Sequence, residues 1–372
     1  MGSEVRVESS AQALDGVRVI DMSRLLPGPM CSWYLRGLGA EVIKVEAPGV
    51  GDYLRQVAPL GPDGMGLWFR AINAGCRSVA LDLKREADRE ALLAILDTAD
   101  VLIEGFRPGV LARLGLAPLD LRERFPRLVI TSITGFGQDG PLRDAPGHDL
   151  GYVGLAGGLS LGVRPDGIPS VPGLQVADIA GGSLTAALRI TAALLLRERT
   201  GEGAWLDVSM TEGVLPLMVP ALAGAGHTGQ PPPPGAGALT GGLPGYRVYR
   251  CADDGLVAVA AIEEHFEAAL LQGLGLERPL DPERLQARFL EDTRDSWVAR
   301  LGGACVTPVL EPLEVLSAPL HRQRGSVRGV GSDARVAPPV GGDARWLHDR
   351  APALGEHTAS VLDEVGFRVE AR

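Results

Sequence analysis

Short apolar runs recur along the first half of the chain, each closed by a turn or a change to polar residues. Residues 17–21, 41–46, 78–81, 101–104, 128–133 and 205–208 have the composition of buried strands. Helical patterns separate them. One follows the break at Pro27-Gly28-Pro29 and covers residues 30–38. Another covers residues 86–98, with leucines and alanines on one face and Glu86, Asp88 and Glu90 in its first turns. Two more are predicted over 178–197, ended by Thr200-Gly201-Glu202-Gly203, and over 212–222. Strand, helix and strand alternate through this half, which predicts an α/β fold with a doubly wound, Rossmann-like parallel sheet.

The pattern changes after residue 222. Residues 223–245 are rich in glycine and proline, with four consecutive prolines at 231–234, and read as a linker. Beyond it, residues 246–250 and 256–260 flank Asp253-Asp254-Gly255, a hairpin signal. A helix from Glu263 carries Phe266, Leu270, Leu271 and Leu274; a strand-like run follows at 305–310, then a short helix near Glu314. The expected organisation is a large α/β domain over 14–222 and a smaller α+β domain over 246–325. A return linker over 326–339 leads to residues 340–372, which close with a helix at 358–365 stopped by Gly366 and pack back on the large domain. Residues 1–13 are a polar lead.

Composition narrows the class of protein. The 372 residues are 45% hydrophobic and 22% charged, ordinary for a globular enzyme. A formal net charge of -10 argues against a general nucleic-acid binder. Lys44 and Lys84 are the only lysines, so arginine supplies nearly all the positive charge. Cys31, Cys76, Cys251 and Cys305 form no CxxC pair and no metal-ligand spacing. No run reads as a membrane span, a signal peptide or a peroxisomal tail, so the expectation is a cytoplasmic protein without membrane partners.

Two glycine motifs invite functional readings that their surroundings oppose. Gly135-Phe136-Gly137-Gln138-Asp139-Gly140 fits GxGxxG, but a dinucleotide site needs a helix starting at the third glycine, and Pro141 follows instead. Gly158-Leu159-Ser160-Leu161-Gly162 fits GxSxG, but a nucleophile elbow needs a strand before the serine and a helix after it, and neither is predicted. The ionisable groups remain. His148 closes the polar loop Pro146-Gly147-His148-Asp149, where it could pack against the domain or face a ligand. Asp178 opens the long apolar helix, as an N-cap or as a chemical group. Glu263 and Glu264 start a helix, where acidic residues suit the dipole. Arg107 could bind phosphate or lie on the surface.

As a set these segments resemble the family III CoA-transferase superfamily (CaiB/BaiF type), and within it the α-methylacyl-CoA racemases. The resemblance runs through residues 14–19 and 39–46, Glu104-Gly105-Phe106-Arg107-Pro108-Gly109, residues 134–141, 199–203 and Gly355-Glu356-His357-Thr358. Gly147-His148-Asp149, Ala261-Ile262-Glu263 and residues 305–310 point to the racemase branch. The resemblance implies a racemase that inverts the 2-carbon of a 2-methylacyl-CoA through an enolate. It needs no cofactor, because coenzyme A is part of the substrate. His148 would serve one face of that carbon; Asp178, paired with Glu263, would serve the other. It implies CoA contacts from Leu83, Lys84, Gly105, Phe106, Arg107, Arg113, Gly147, Asp149 and Tyr152, and an interlocked homodimer. The alternative is a transferase using Asp178 as nucleophile. The chain departs from the racemase pattern at Gly151, where those enzymes have Asn, and at Thr240, where they have Asp. It also departs at Ala47, where they have a CoA-contacting Arg that Lys44 could replace.

Overall fold

Residues 12–163, 166–338 and 349–367 are described here from a computed structural model. Six apolar runs become the strands of one parallel sheet: β1 (Arg18–Asp21), β2 (Glu41–Glu46), β3 (Arg77–Ala80), β4 (Val101–Glu104), β5 (Val129–Thr134) and β6 (Trp205–Ser209). Every residue of β4 and β5 is buried. That is why neither run alternates between apolar and charged positions, and why Thr131, Ser132 and Glu104 are buried along with the apolar residues. The strand order is β3-β2-β1-β4-β5-β6. Chain direction across the sheet reverses between β1 and β4, and the loops leaving those two strands diverge and open a crevice there.

The chain divides into two units, and β1 to β6 belong to the first, which comprises residues 1–156, 173–217 and 323–372. Within it, residues 349–367 return to the edge strand β3. The amide of His357 donates to the Ser78 carbonyl at 2.8 Å, and the amide of Ala80 donates to the Thr358 hydroxyl at 2.9 Å. The last helix, Thr358–Glu364, is followed by Gly366 at φ 68°. Of the expected C-terminal segment, residues 340–348 and 368–372 lie outside the described residues.

One expectation is corrected here. The helical run Ala177–Thr200 is long and apolar enough, by length and composition, to cross a membrane. It carries a buried Arg197, whose guanidinium donates to Asp100 at 2.9 Å, and it packs Ala186 and Ile190 into the unit's interior. The expected helix over 212–222 is also broken. It becomes Met210–Val214, a tight turn at Leu215–Met218 and a helix at Val219–Thr228, with Pro216 and Pro220 at the breaks.

The second unit comprises residues 157–172 and 218–322. It takes in a segment from before the Asp178 helix as well as the whole of the proline-rich stretch 223–245, where the sequence pattern placed a boundary at 222. Its sheet is antiparallel, with β7 (Tyr246–Arg250), β8 (Leu256–Ala260) and β9 (Val306–Pro308) in that order. Its core centres on Trp297 and Phe289, whose rings meet edge-on with centroids 5.5 Å apart. In the return segment, β10 (Val327–Arg328) pairs with β11 (Arg335–Val336).

Candidate active site

A cleft of about 440 Å³ opens at the C-terminal ends of β1, β4 and β5, in the first unit. Ser23, Arg24 and Leu25 line it after β1, Gly105 to Pro108 after β4, and Ile133 to Phe136 at and just past the end of β5. The next loop and helix add Gly147, His148 and Tyr152, and Asp178 completes the lining. Of the expected site residues, the structure thus gathers Gly105, Phe106, Arg107, Gly147, His148, Tyr152 and Asp178 around one space.

His148 is the extended residue (φ -139°, ψ 168°) before the helix Asp149–Leu155. Its side chain makes no capping bond, which leaves the imidazole on the cleft wall. Its neighbour Asp149 turns the other way and accepts the amide of Asp178 at 2.9 Å. Tyr152 lies under the glycine turn, its ring edge-on to Phe136 at 5.1 Å. A Cβ at Gly135 or Gly147 would stand 2.5 Å from the Tyr152 ring, so both positions require glycine for this packing. Burial first, then the Asp178 carboxylate, push the Tyr152 phenol up to about 12.

Asp178 is not the N-cap that the sequence pattern allowed. It is the second residue of a wide π-helical segment, Ala177–Leu184, whose N-cap is Val176 in helical conformation. Segments of this kind are frequent at functional sites. Ser183 holds the segment in place, its one hydroxyl hydrogen shared between the Asp178 carbonyl at 2.9 Å and the Pro27 carbonyl at 2.7 Å. Burial raises the Asp178 pKa to about 6; the negative charge of Asp149 adds to the rise and His148 opposes it. Asp178 is therefore a carboxyl that takes up or releases a proton near neutral pH.

Two carboxyls that the sequence did not single out hold the loops of the cleft. Glu104, at the end of β4, is buried and pushed up to about 7, chiefly by that burial; it accepts the Phe106 amide at 2.8 Å and so holds the loop carrying Arg107. Asp207 on β6 accepts the Gln138 amide at 2.9 Å and holds the glycine turn. Lys44 departs from expectation. It is fully buried and ion-paired, 3.1 Å from Asp52 and 3.6 Å from Asp21, so it cannot replace the missing arginine at position 47. Burial alone would lower its pKa, but the surrounding carboxylates outweigh it and hold the ammonium charged.

Leu83, Lys84 and Arg113 are not part of the cleft lining. Leu83 packs against the core, Lys84 is exposed, and Arg113 ends the short helix Val110–Arg113. Glu263 belongs to the second unit, exposed at the N-cap of the helix Glu264–Leu274. Thr240 also lies there, with its hydroxyl accepting the Gly237 amide at 2.9 Å. Gly151 leaves open space, with no atom within 4 Å of where a Cβ would stand. Neither glycine motif forms the site its pattern suggests. The chain after Gly140 is a turn, and Ser160 lies in the turn Gly158–Leu161 with its hydroxyl donated to Gly157.

The family model described as CoA-transferase family III matches residues 14–358. The chain belongs to CoA-transferase family III. Among the curated relatives of this family III chain, human alpha-methylacyl-CoA racemase is 36% identical over 376 residues, covering 96% of this chain and 94% of that one. Acetyl-CoA:oxalate CoA-transferase of Acetobacter aceti is 33% identical, covering 94% of this chain and 95% of that one. A crystal structure of a CAIB/BAIF family protein from Brucella suis superposes with a TM-score of 0.81 at 28% identity, covering 95% of this chain and 100% of that one. The family III chain is thus similar to both an isomerase and a transferase.

Proposed function

We propose that this enzyme is a racemase of 2-methyl-branched acyl-CoA thioesters, acting by proton transfer at the α-carbon. The observation that carries the reading is Asp178, a carboxyl with a pKa of about 6 in the same cleft as the uncapped His148. Inversion needs one group on each face of the carbon. One takes the α-proton while the C–H electrons move into the thioester to form an enolate. The other then returns a proton to the opposite face. A pKa near the working pH suits a group that must do both. The Asp149 amide, at a helix start beside His148, is suited to receive the enolate oxygen. No cofactor is required beyond the CoA that the substrate carries.

The test is α-proton exchange. Purified protein is incubated with a 2-methylacyl-CoA in D₂O without acceptor acid, and the product is read by NMR and chiral analysis. Deuterium at the α-carbon with loss of stereochemical purity is the expected result. No exchange across a panel of branched thioesters removes the racemase reading. The second reading is then a CoA-transferase, favoured by the similarity to acetyl-CoA:oxalate CoA-transferase. In that case Asp178 carries a covalent adduct that mass spectrometry detects.

The pH dependence follows from Asp178. In the direction where its carboxylate takes the proton, kcat/KM falls about tenfold per pH unit below about 6, because the free enzyme then holds Asp178 protonated. The negative charge of Asp149 raises that pKa, so Asp149→Asn moves the inflection to lower pH. An unshifted profile would assign the titration to another group.

The proposed partner is a second copy of the chain. Leu184, Leu188 and Leu195 recur at helical spacing on one face of the Asp178 helix and are exposed, Leu188 by 70%. Such a stripe normally marks an interface. In the proposed homodimer, Glu263 reaches Asp178 from the other subunit. Sedimentation should find a dimer for the native chain and a monomer for Leu188→Asp; a native monomer at micromolar concentration would remove the proposal.

A further inference from the structure

The corner between β1 and the helix Pro27–Gly37 is built on buried charge. Asp21 ends β1, with one carboxylate oxygen accepting the Ser23 amide at 2.8 Å and the other the Ser32 hydroxyl at 3.0 Å. Lys44, beside it on β2, donates to the Ser23 carbonyl at 3.0 Å and pairs with Asp52. Asp52 in turn accepts the Leu25 amide at 3.0 Å. Leu25 is held at φ 64°, a left-handed conformation that a branched, non-glycine residue adopts only where its surroundings over-determine it. Three fully buried charged groups therefore fix the residues on either side of Arg24.

Arg24 is what this rigid corner presents to the cleft. Its guanidinium donates to the Tyr53 hydroxyl at 2.9 Å and lies 4.8 Å from the centre of that ring and 5.9 Å from the centre of Phe106. All three residues line the cleft. Arg55, by contrast, is committed to Glu46, and Lys44 to Asp21 and Asp52. The partners of Arg24 among the described residues are a phenol and two ring faces, not a carboxylate. A guanidinium resting on aromatic rings keeps its charge and its remaining in-plane donors for an incoming oxyanion, and its fork matches phosphate.

We propose that Arg24 is a ligand of a phosphate group of coenzyme A, aimed into the cleft by the Asp21–Lys44–Asp52 cluster. The inference rests on the acyl-CoA reading of this cleft but not on which reaction follows. Binding is therefore measured without turnover, by calorimetry with CoA and by ligand-observed NMR with pantetheine, which lacks phosphate. Arg24→Ala removes an exposed side chain, leaves the buried corner intact and should weaken CoA binding about 10- to 100-fold, as expected for lost hydrogen bonds to a charged group. Pantetheine binding should match the native protein, and Tyr53→Phe should lose less affinity for CoA than Arg24→Ala. Unchanged CoA affinity in Arg24→Ala, or an equal loss for both probes, overturns the assignment. A native protein that binds neither probe overturns the acyl-CoA reading and this inference with it.

Discussion

Asp178→Asn and His148→Ala should each lower racemisation by about 10²–10⁴-fold, the range that a positioned acid or base contributes. The two losses are expected to differ in kind. Racemisation needs both faces, but deuterium wash-in at one face needs a single base. Asp178→Asn should still exchange the enantiomer whose proton faces His148, with its configuration kept, and His148→Ala should exchange only the opposite enantiomer. Both variants should bind CoA as the native protein does, because neither side chain is placed against phosphate. Inversion that survives in His148→Ala would remove the imidazole from the mechanism. Transfer to an acceptor acid by that variant, with CoA bound covalently at Asp178, would place the chain with the transferases in reaction type. Asparagine is the informative choice at 178, since it keeps the size of the side chain and removes its ability to hold and release a proton at neutral pH.

The strands were legible because burial on both faces leaves a plain chemical trace. Val129 to Ile133 reads as a strand because no position in it faces water. Turn chemistry was equally readable at Gly201 and Gly366, both at positive φ after a helix. What could not be read was any position whose character depends on a distant neighbour. Lys44 reads from the sequence as a cation that could meet CoA, yet Asp21 and Asp52 close over it from two other segments. Glu104 looks like the polar end of a strand, but it is buried in the sheet, with Ser132 of the adjacent β5 as a hydrogen-bond partner. Asp178 has the local signature of an N-cap. It lies instead inside a π-helical turn that the segment around Gly213 approaches closely, and helical periodicity carries no record of that contact. His148 was legible only as a loop residue; the family resemblance, not spacing, singled it out.

That approach underlies the second large effect. A Cβ at Gly213 would stand 2.1 Å from the Gly181 carbonyl oxygen and 2.5 Å from its Cα, and one at Gly181 would stand 2.4 Å from the Met210 carbonyl oxygen. These are backbone atoms, so no rotamer relieves the clash. Either the helix Met210–Val214 or the segment Ala177–Leu184 must move. Gly213→Ala should therefore destabilise the protein by about 3 kcal/mol, the upper range for overpacking, read as a lower urea midpoint. Gly151→Ala is the matched control. Its Cβ meets nothing within 4 Å, and alanine is the better helix former by about 1 kcal/mol, so its midpoint should hold or rise. The segment that Gly213→Ala displaces carries Asp178, so proton exchange should fall in the fraction that stays folded. If that fraction keeps native exchange, the position of Asp178 does not depend on this contact, and the Ser183 bonds to Asp178 and Pro27 hold it instead.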